Sequence, residues 1–212
     1  MPFSVDLHTH TRFGSNCSYM EPGQLVQRAK EVGLDAVCIT EHNAAWEDDA
    51  IRALSEESGF RVLGGVEVST ELGDVLVFGV RPRLLAGSRI EELRRLVDEQ
   101  SGLMIAAHPF RCYSWPGAVK DLGAAAALPL FDWVDAVELF NGTSPWPEVE
   151  FACTVMERLR LPGVGGSDAH SPLSVGRCYT QFEREVASVE ELVSELRAGR
   201  FQAVHSALGL VR

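Results

Sequence analysis

Lysine is nearly missing: the 212 residues contain only Lys30 and Lys120. Arginine does not make up the deficit, because Lys and Arg together number 19 against 30 Asp and Glu, a formal net charge of -11. A chain that tracks duplex nucleic acid or an anionic membrane surface usually carries a basic face. The expectation is therefore no duplex nucleic acid and no membrane as partner. An anionic substrate fits such a chain if bound cations reverse the sign of charge locally. The cysteines (Cys17, Cys38, Cys112, Cys153 and Cys178) are odd in number and form no C-x-x-C pair. That argues against a disulfide framework and against a zinc ribbon. No apolar run has the length of a bilayer-spanning helix. The first residues lack the basic-then-apolar grammar of a signal peptide, so a soluble, cytoplasmic protein is expected. Low-complexity tracts and internal repeats are absent too, and nothing in the pattern specifies an oligomeric state.

What is present is a chain that is 46% hydrophobic, enough for one core and a single domain spanning 1–212. Short apolar runs alternate with amphipathic segments. The spacing of Leu25, Val26, Ala29 and Val32 predicts a helix from Gln24 to Val32, with Pro22 near its start and Gly33 at its end. Ser88 and Glu91 have capping-box spacing ahead of a stripe of Ile90, Leu93 and Val97. Ser188 and Glu191 repeat that grammar, closed by Gly199. Further helices are expected over Glu47–Ser58, Val119–Ala127 and Glu148–Leu159, with Ala124–Pro129 readable as loop or short helix. The runs SVDL, AVCIT, VLGGV, VLVFGV, GLMIAA, WVDAVEL and GVGG read as strands buried on both faces, as in a parallel sheet covered by helices. This alternation is that of an α/β fold, open or closed.

Nearly every run ends in a group able to bind a metal. SVDL leads into His8 and His10, AVCIT into Glu41 and His42, and VLGGV into Glu67. GLMIAA ends at His108, WVDAV at Glu138, and GVGGS at Asp168 and His170. The carboxyl ends of parallel strands open onto one face, so residues remote in sequence converge there. Five of the six histidines occupy such places and only His205 does not. Singly, each has a plain explanation: His108 as a polar cap, Glu67 as partner of an Arg, Asp168 as a helix N-cap. Jointly they do not, because so many titratable groups on one face are costly to bury unless cations compensate them. Mixed imidazoles and carboxylates suit Zn²⁺, Mn²⁺ or Fe²⁺. The surplus of donors calls for two or more ions with a carboxylate between them.

The motifs DLHTHT, GLDAVCITEHN, GVEVS, AAHP, VELFNG and GGSDAH stand in the order found in the PHP (polymerase and histidinol phosphatase) family, which the chain resembles from Asp6 to His170, with VGRCYTQF resembling the family's final strand. The resemblance implies a distorted seven-stranded β/α barrel, TIM-barrel-like, with two or three divalent ions at the C-terminal ends of its strands. It places His8, His10, Glu67 and Asp168 on a first ion, Glu67 and His108 on a second, and His42 and His170 on a third. Glu138 and Asn141 are expected to contact the ligands or the substrate. Where relatives often carry an Asp after the H-x-H pair this chain has RFGSNCS, with Asn16 as nearest equivalent, and Glu41 stands for a familiar Asp. No extra His or Cys follows the Glu138 region.

The chemistry expected from this is phosphoester hydrolysis of a small phosphorylated substrate (a nucleotide, a sugar phosphate or a histidinol-phosphate-like compound) by metal-activated water. Glu67, Asp168 and His170 form the catalytic set, Arg111 and Arg177 offer bidentate forks to phosphate, and Trp115 and Trp146 are candidates to border the pocket. The alternatives are amidohydrolase chemistry, which commonly needs a bridging carboxylated lysine, and a catalytically weak metal-binding module. Neither lysine follows an apolar strand, whereas Glu67 does.

Overall fold

The computed structural model describes residues 1–80, 89–111, 118, 120–207 and 209–210. The strands form two sheets. The first contains β1 (Phe3–Thr9), β2 (Ala36–Ile39), β3 (Arg61–Gly64), β9 (Cys178–Phe182), β10 (Phe201–His205) and β11 (Gly209–Leu210), in the order β11-β10-β9-β1-β2-β3. The second contains β4 (Val66–Thr70), β5 (Gly73–Phe78), β6 (Leu103–Ala106), β7 (Ala136–Asn141) and β8 (Gly163–Gly166), in sequence order. Strands β1, β2 and β3 are parallel, as are β6, β7 and β8. The strands β4, β5 and β6 alternate in direction, and β9 and β10 run antiparallel to their neighbours.

A closed seven-stranded barrel is therefore not what the chain forms. The β4–β5 hairpin breaks the β/α alternation of the expected barrel, and among the described residues neither sheet closes on itself. The sheets instead meet along two flanks. On one, Thr9 bridges Ala169 and the His10 N–H donates to Ala169 O at 3.0 Å. On the other, His42 bridges Glu67, and the Glu67 N–H donates to Glu41 O at 3.0 Å. Close approach at the first flank rests on the glycines of β8. A Cβ on Gly165 would lie 2.4 Å from Tyr179 O, and one on Gly166 would lie 2.6 Å from His8 Cβ. Elsewhere between the sheets a groove of about 1170 Å³ opens, lined by Ile51, Arg61, Val77 and Gly79 among others.

The helices follow the apolar spacing: α1 (Pro22–Glu31), α2 (Asp48–Ser58), α3 (Ile90–Glu99), α4 (Leu122–Ala126), α5 (Trp146–Met156) and α6 (Val189–Arg197). Leu25, Val26 and Ala29 of α1 are buried, as are Ile90, Leu93 and Val97 of α3. The Ser188 hydroxyl accepts from the Glu191 N–H at 3.3 Å, the expected cap. Ser88, Val119 and Trp115 lie outside the described residues. The ambiguous stretch is helical only to Ala126, in a short helix capped by Asp121, which accepts from the Ala124 N–H at 2.8 Å, and is extended at Leu128. Strands β2 and β6 are buried throughout, as expected of central strands.

Candidate metal centre

The seam between the sheets holds the chemistry. His8 on β1, His10 just beyond it and His42 beyond β2 come from the first sheet. Glu67 on β4, His108 beyond β6, and Asp168 and His170 beyond β8 come from the second. His8, His10 and Glu67 are fully buried and Asp168 nearly so, while His42 and His170 are half-buried.

Four of these residues form a compact set. His8 Nε2 lies 3.0 Å from His10 Nε2, 3.4 Å from Glu67 Oε2 and 3.5 Å from Asp168 Oδ1. His10 Nε2 lies 3.3 Å from Glu67 Oε2 and 3.2 Å from Asp168 Oδ1. Donors around a tetrahedral zinc, with bonds near 2.0–2.1 Å, stand about 3.3–3.4 Å apart. Glu67 Oε2 and Asp168 Oδ1 are buried with no hydrogen bond of good geometry among the described residues. Leaving two carboxylate oxygens so placed is costly without a cation. The donor set thus fits a divalent ion. Glu67 also faces outward from this set: Oε1 is 2.8 Å from His108 Nε2, and Oε2 is 2.8 Å from His42 Nδ1. The ligand atoms form three overlapping groups: His8/His10/Asp168, His8/Glu67/His108 and His10/His42/His170.

The second nitrogen of several rings is tied down, which orients the first. His8 Nδ1 is 3.0 Å from Glu138 Oε1, His10 Nδ1 is 3.1 Å from Ser15 Oγ, and His170 Nδ1 is 2.9 Å from Asp168 O. Glu138 is itself held, accepting from the His108 N–H at 2.9 Å and from Asn141 Nδ2 at 3.0 Å. Asn141 also reaches Asp168 Oδ2 at 3.3 Å. Glu138 and Asn141 therefore support the ligand set from behind. His108 (φ 29°) and Asp168 (φ 52°) adopt left-handed backbone conformations that few such residues take.

Electrostatics follow from burial and crowding. Burial alone would lower His8, but Glu138 and Glu67 outweigh it and push it up to about 10. Burial, with charge on neighbouring histidines, pulls His10 and His170 down to about 4. Burial would raise Glu67, yet His8 and the imidazoles of His10, His108 and His42 hold it well below its ordinary range.

Arg111 does reach the site, donating to Asp168 Oδ2 and, at 3.2 Å, to Thr143 Oγ1. Arg177 does not join it. Exposed, it lines a groove with Arg28, Leu34 and Tyr179, and among the described residues no hydrogen bond or ion pair links it to the cluster. Trp146 is exposed at the start of α5, where its ring stands edge-on to His205 at 6.3 Å. Asn16 is exposed, whereas Cys17 beside it approaches His170. Glu41 is fully buried and accepts from the Thr11 N–H at 3.0 Å, Ser15 Oγ at 2.5 Å and Trp46 Nε1 at 3.2 Å. It anchors the loop after β1. The roles of Ser15 and Thr143 had no sequence signal, because a lone hydroxyl in a loop follows no periodic pattern.

Comparison with known proteins agrees with this geometry. The PHP domain family model matches residues 6–108, and the PHP-associated model matches residues 148–201. The chain belongs to the PHP family, whose members include metal-dependent phosphoesterases. The uncharacterized protein MJ1587 of Methanocaldococcus jannaschii is 29% identical over 148 residues, 65% of this chain and 81% of that one. A two-domain protein of Bacteroides vulgatus containing a predicted PHP-like metal-dependent phosphoesterase superposes with a TM-score of 0.73. It is 22% identical, over 97% of this chain and 65% of that one. Endonuclease Q, in complex with a 27-mer duplex substrate bearing an abasic lesion at the active site, superposes with a TM-score of 0.55. It is 17% identical, over 93% of this chain and 57% of that one. That complex overturns the exclusion of duplex nucleic acid. Net charge averages over the whole surface, while a substrate meets the local field of the site, which bound cations can invert.

Proposed function

We propose that this protein is a metal-dependent phosphoesterase, with His8, His10, His42, Glu67, His108, Asp168 and His170 holding two or three divalent ions, Zn, Mn or Fe. The observation that carries this is the set His8 Nε2, His10 Nε2, Glu67 Oε2 and Asp168 Oδ1, spaced as metal donors with neither carboxylate oxygen making a hydrogen bond of good geometry among the described residues. Divalent ions seated there would supply Lewis acidity toward the phosphoryl oxygens and lower the pKa of attacking water.

The residues do the rest. Glu67 presents one oxygen to each side and keeps its neighbours' positive charge together in the centre of the seam. Glu138, Ser15 and the Asp168 carbonyl fix imidazole orientation, so the free nitrogens aim inward without reorganisation. Half-buried His42 and His170 mark the side open to substrate. Arg111 spends two contacts on Asp168 and Thr143 and, with five N–H donors in all, retains others for a phosphate oxygen. Water attacks phosphorus and the ester P–O bond breaks. No nucleophilic Ser or Cys is needed. Amidohydrolase chemistry with a bridging lysine lacks its lysine here, since Lys30 lies on α1 and Glu67 holds the bridging place.

The test is hydrolysis by metal-stripped protein reconstituted with Zn²⁺, Mn²⁺ or Fe²⁺. The substrates are phosphomonoesters, short single strands, and a duplex with and without an abasic site. Release of phosphate or strand cleavage that needs the metal and is lost in Asp168→Asn is expected. Protein that binds less than one equivalent of metal and cleaves none of them overturns the proposal.

A further inference from the structure

The loop after β1 offers a donor that neither the motifs nor the comparisons assign. Residues 15–18 form a tight turn, closed by the Ser18 N–H donating to Ser15 O at 2.9 Å. Both ends are buried and tied to the cluster. Ser15 Oγ contacts His10 Nδ1 at 3.1 Å, and Ser18 Oγ donates to His10 O at 2.9 Å and to His170 O at 3.2 Å. The two residues between them are exposed, and the second is Cys17, whose Sγ lies 3.1 Å from His170 Nε2. The turn thus fixes a thiol beside one of three imidazoles, His10, His42 and His170, whose ligand atoms lie within 4.8 Å of one another.

A second observation points to a cation at this end of the site. That group has no carboxylate of its own. Fully buried Glu67 turns toward it Oε2, which makes no hydrogen bond of good geometry among the described residues yet lies 2.8 Å from His42 Nδ1 and 3.3 Å from His10 Nε2. Asn16, the expected equivalent of a carboxylate ligand, makes no such approach; the neighbouring sulfur does.

We propose that Cys17 is a thiolate arm for the divalent ion held by His42 and His170. This rests on the metal-centre reading above and adds a sulfur to a donor set of nitrogens and oxygens. On binding, the S–H bond breaks, its proton passes to solvent, and a sulfur–metal bond forms. Nitrogen and sulfur on a tetrahedral zinc stand about 3.5 Å apart, against 3.1 Å between His170 Nε2 and Cys17 Sγ. Cys17 stands outside the group formed by His10, His42 and His170, so its side chain must turn toward His42 on binding. A soft thiolate favours Zn²⁺ or Co²⁺ over Mn²⁺. This end of the site should therefore discriminate between ions that the carboxylate-rich end accepts alike.

Cobalt reports this without reference to activity. Full-length wild-type protein, Cys17→Ser and Cys17→Asp are stripped and titrated with Co²⁺. The wild type should show a sulfur-to-cobalt charge-transfer band in the near ultraviolet. Cys17→Ser should lack the band and hold one fewer zinc, and Cys17→Asp should recover the zinc without the band. Alkylation followed by peptide mapping should find Cys17 labelled in stripped protein and protected by Zn²⁺. Mapping by peptide separates it from buried Cys38 and Cys178 and half-buried Cys153. An identical band and zinc content in Cys17→Ser, or equal labelling with and without zinc, overturns the Cys17 assignment alone. Wild-type protein that takes up no cobalt or zinc overturns that assignment and the metal centre together.

Discussion

Glu67 has the most contacts to lose, because its two oxygens face opposite sets of imidazoles. Glu67→Gln keeps the size and removes the charge. Metal content should fall by more than one ion and turnover by several orders of magnitude, whereas His42→Ala should deplete a single ion. Elemental analysis and activity on the two variants, with circular dichroism to confirm folding, make the comparison. Full metal and near-normal turnover in Glu67→Gln would remove the bridging role. His8 carries a second prediction. Despite burial, Glu138 and Glu67 keep it protonated up to about pH 10 when no metal is bound. A metal at Nε2 must displace that proton, so binding near neutral pH should release it. Affinity should rise about tenfold per pH unit, weakening as pH falls. Calorimetry in buffers of different ionisation enthalpy reads the proton count directly, and a count of zero would contradict the shift. His108 and Asp168 add a cost at the same scale, since left-handed backbone at non-glycine residues costs on the order of 1–3 kcal/mol and persists where surroundings enforce it.

At the scale of elements, β8 decides how closely the sheets approach. A methyl group on Gly165 meets the backbone of β9, which cannot step aside. Gly165→Ala should destabilise the fold by about 1–3 kcal/mol, measured by denaturant midpoint. A methyl on Gly166 meets His8 and a Glu138 oxygen instead, so Gly166→Ala should damage metal binding more than stability. His205 ends β10 against Phe140 and Trp146 rather than in the cluster, and His205→Ala should retain activity. Helices were legible in the sequence because amphipathic spacing and caps such as Ser188 are local. Strand direction was not: VLVFGV reads as a buried strand whichever way it runs, and its antiparallel pairing as β5 departs from the β/α alternation of the expected barrel. The clustering of the histidines and carboxylates was legible because they sit immediately after apolar runs. Cys17 and Arg177 were not, because turn geometry decides where their side chains go.

Across the whole molecule, the acidic balance bears on solubility and long-range fields but does not by itself select the substrate. Ions that bind only the folded chain stabilise it, by about 2.7 kcal/mol at a concentration a hundredfold above the dissociation constant. Stripping the protein with chelator should therefore lower its melting temperature, and adding metal should restore it. The position of the donors makes that effect mechanical. His8, His10 and His42 belong to one sheet, and Glu67, His108, Asp168 and His170 to the other. Ions bound there would act as rivets between two plates also joined by the bridges Thr9 to Ala169 and His42 to Glu67, by hydrogen bonds from Gly165 to Thr180 and from Ser167 to Asp6, and by shared apolar packing. With the rivets out, the plates should breathe along the seam. The backbone amides of His10 and Glu67, whose bonds cross it, should exchange hydrogen for deuterium faster than the amides of β6, which lies within one plate.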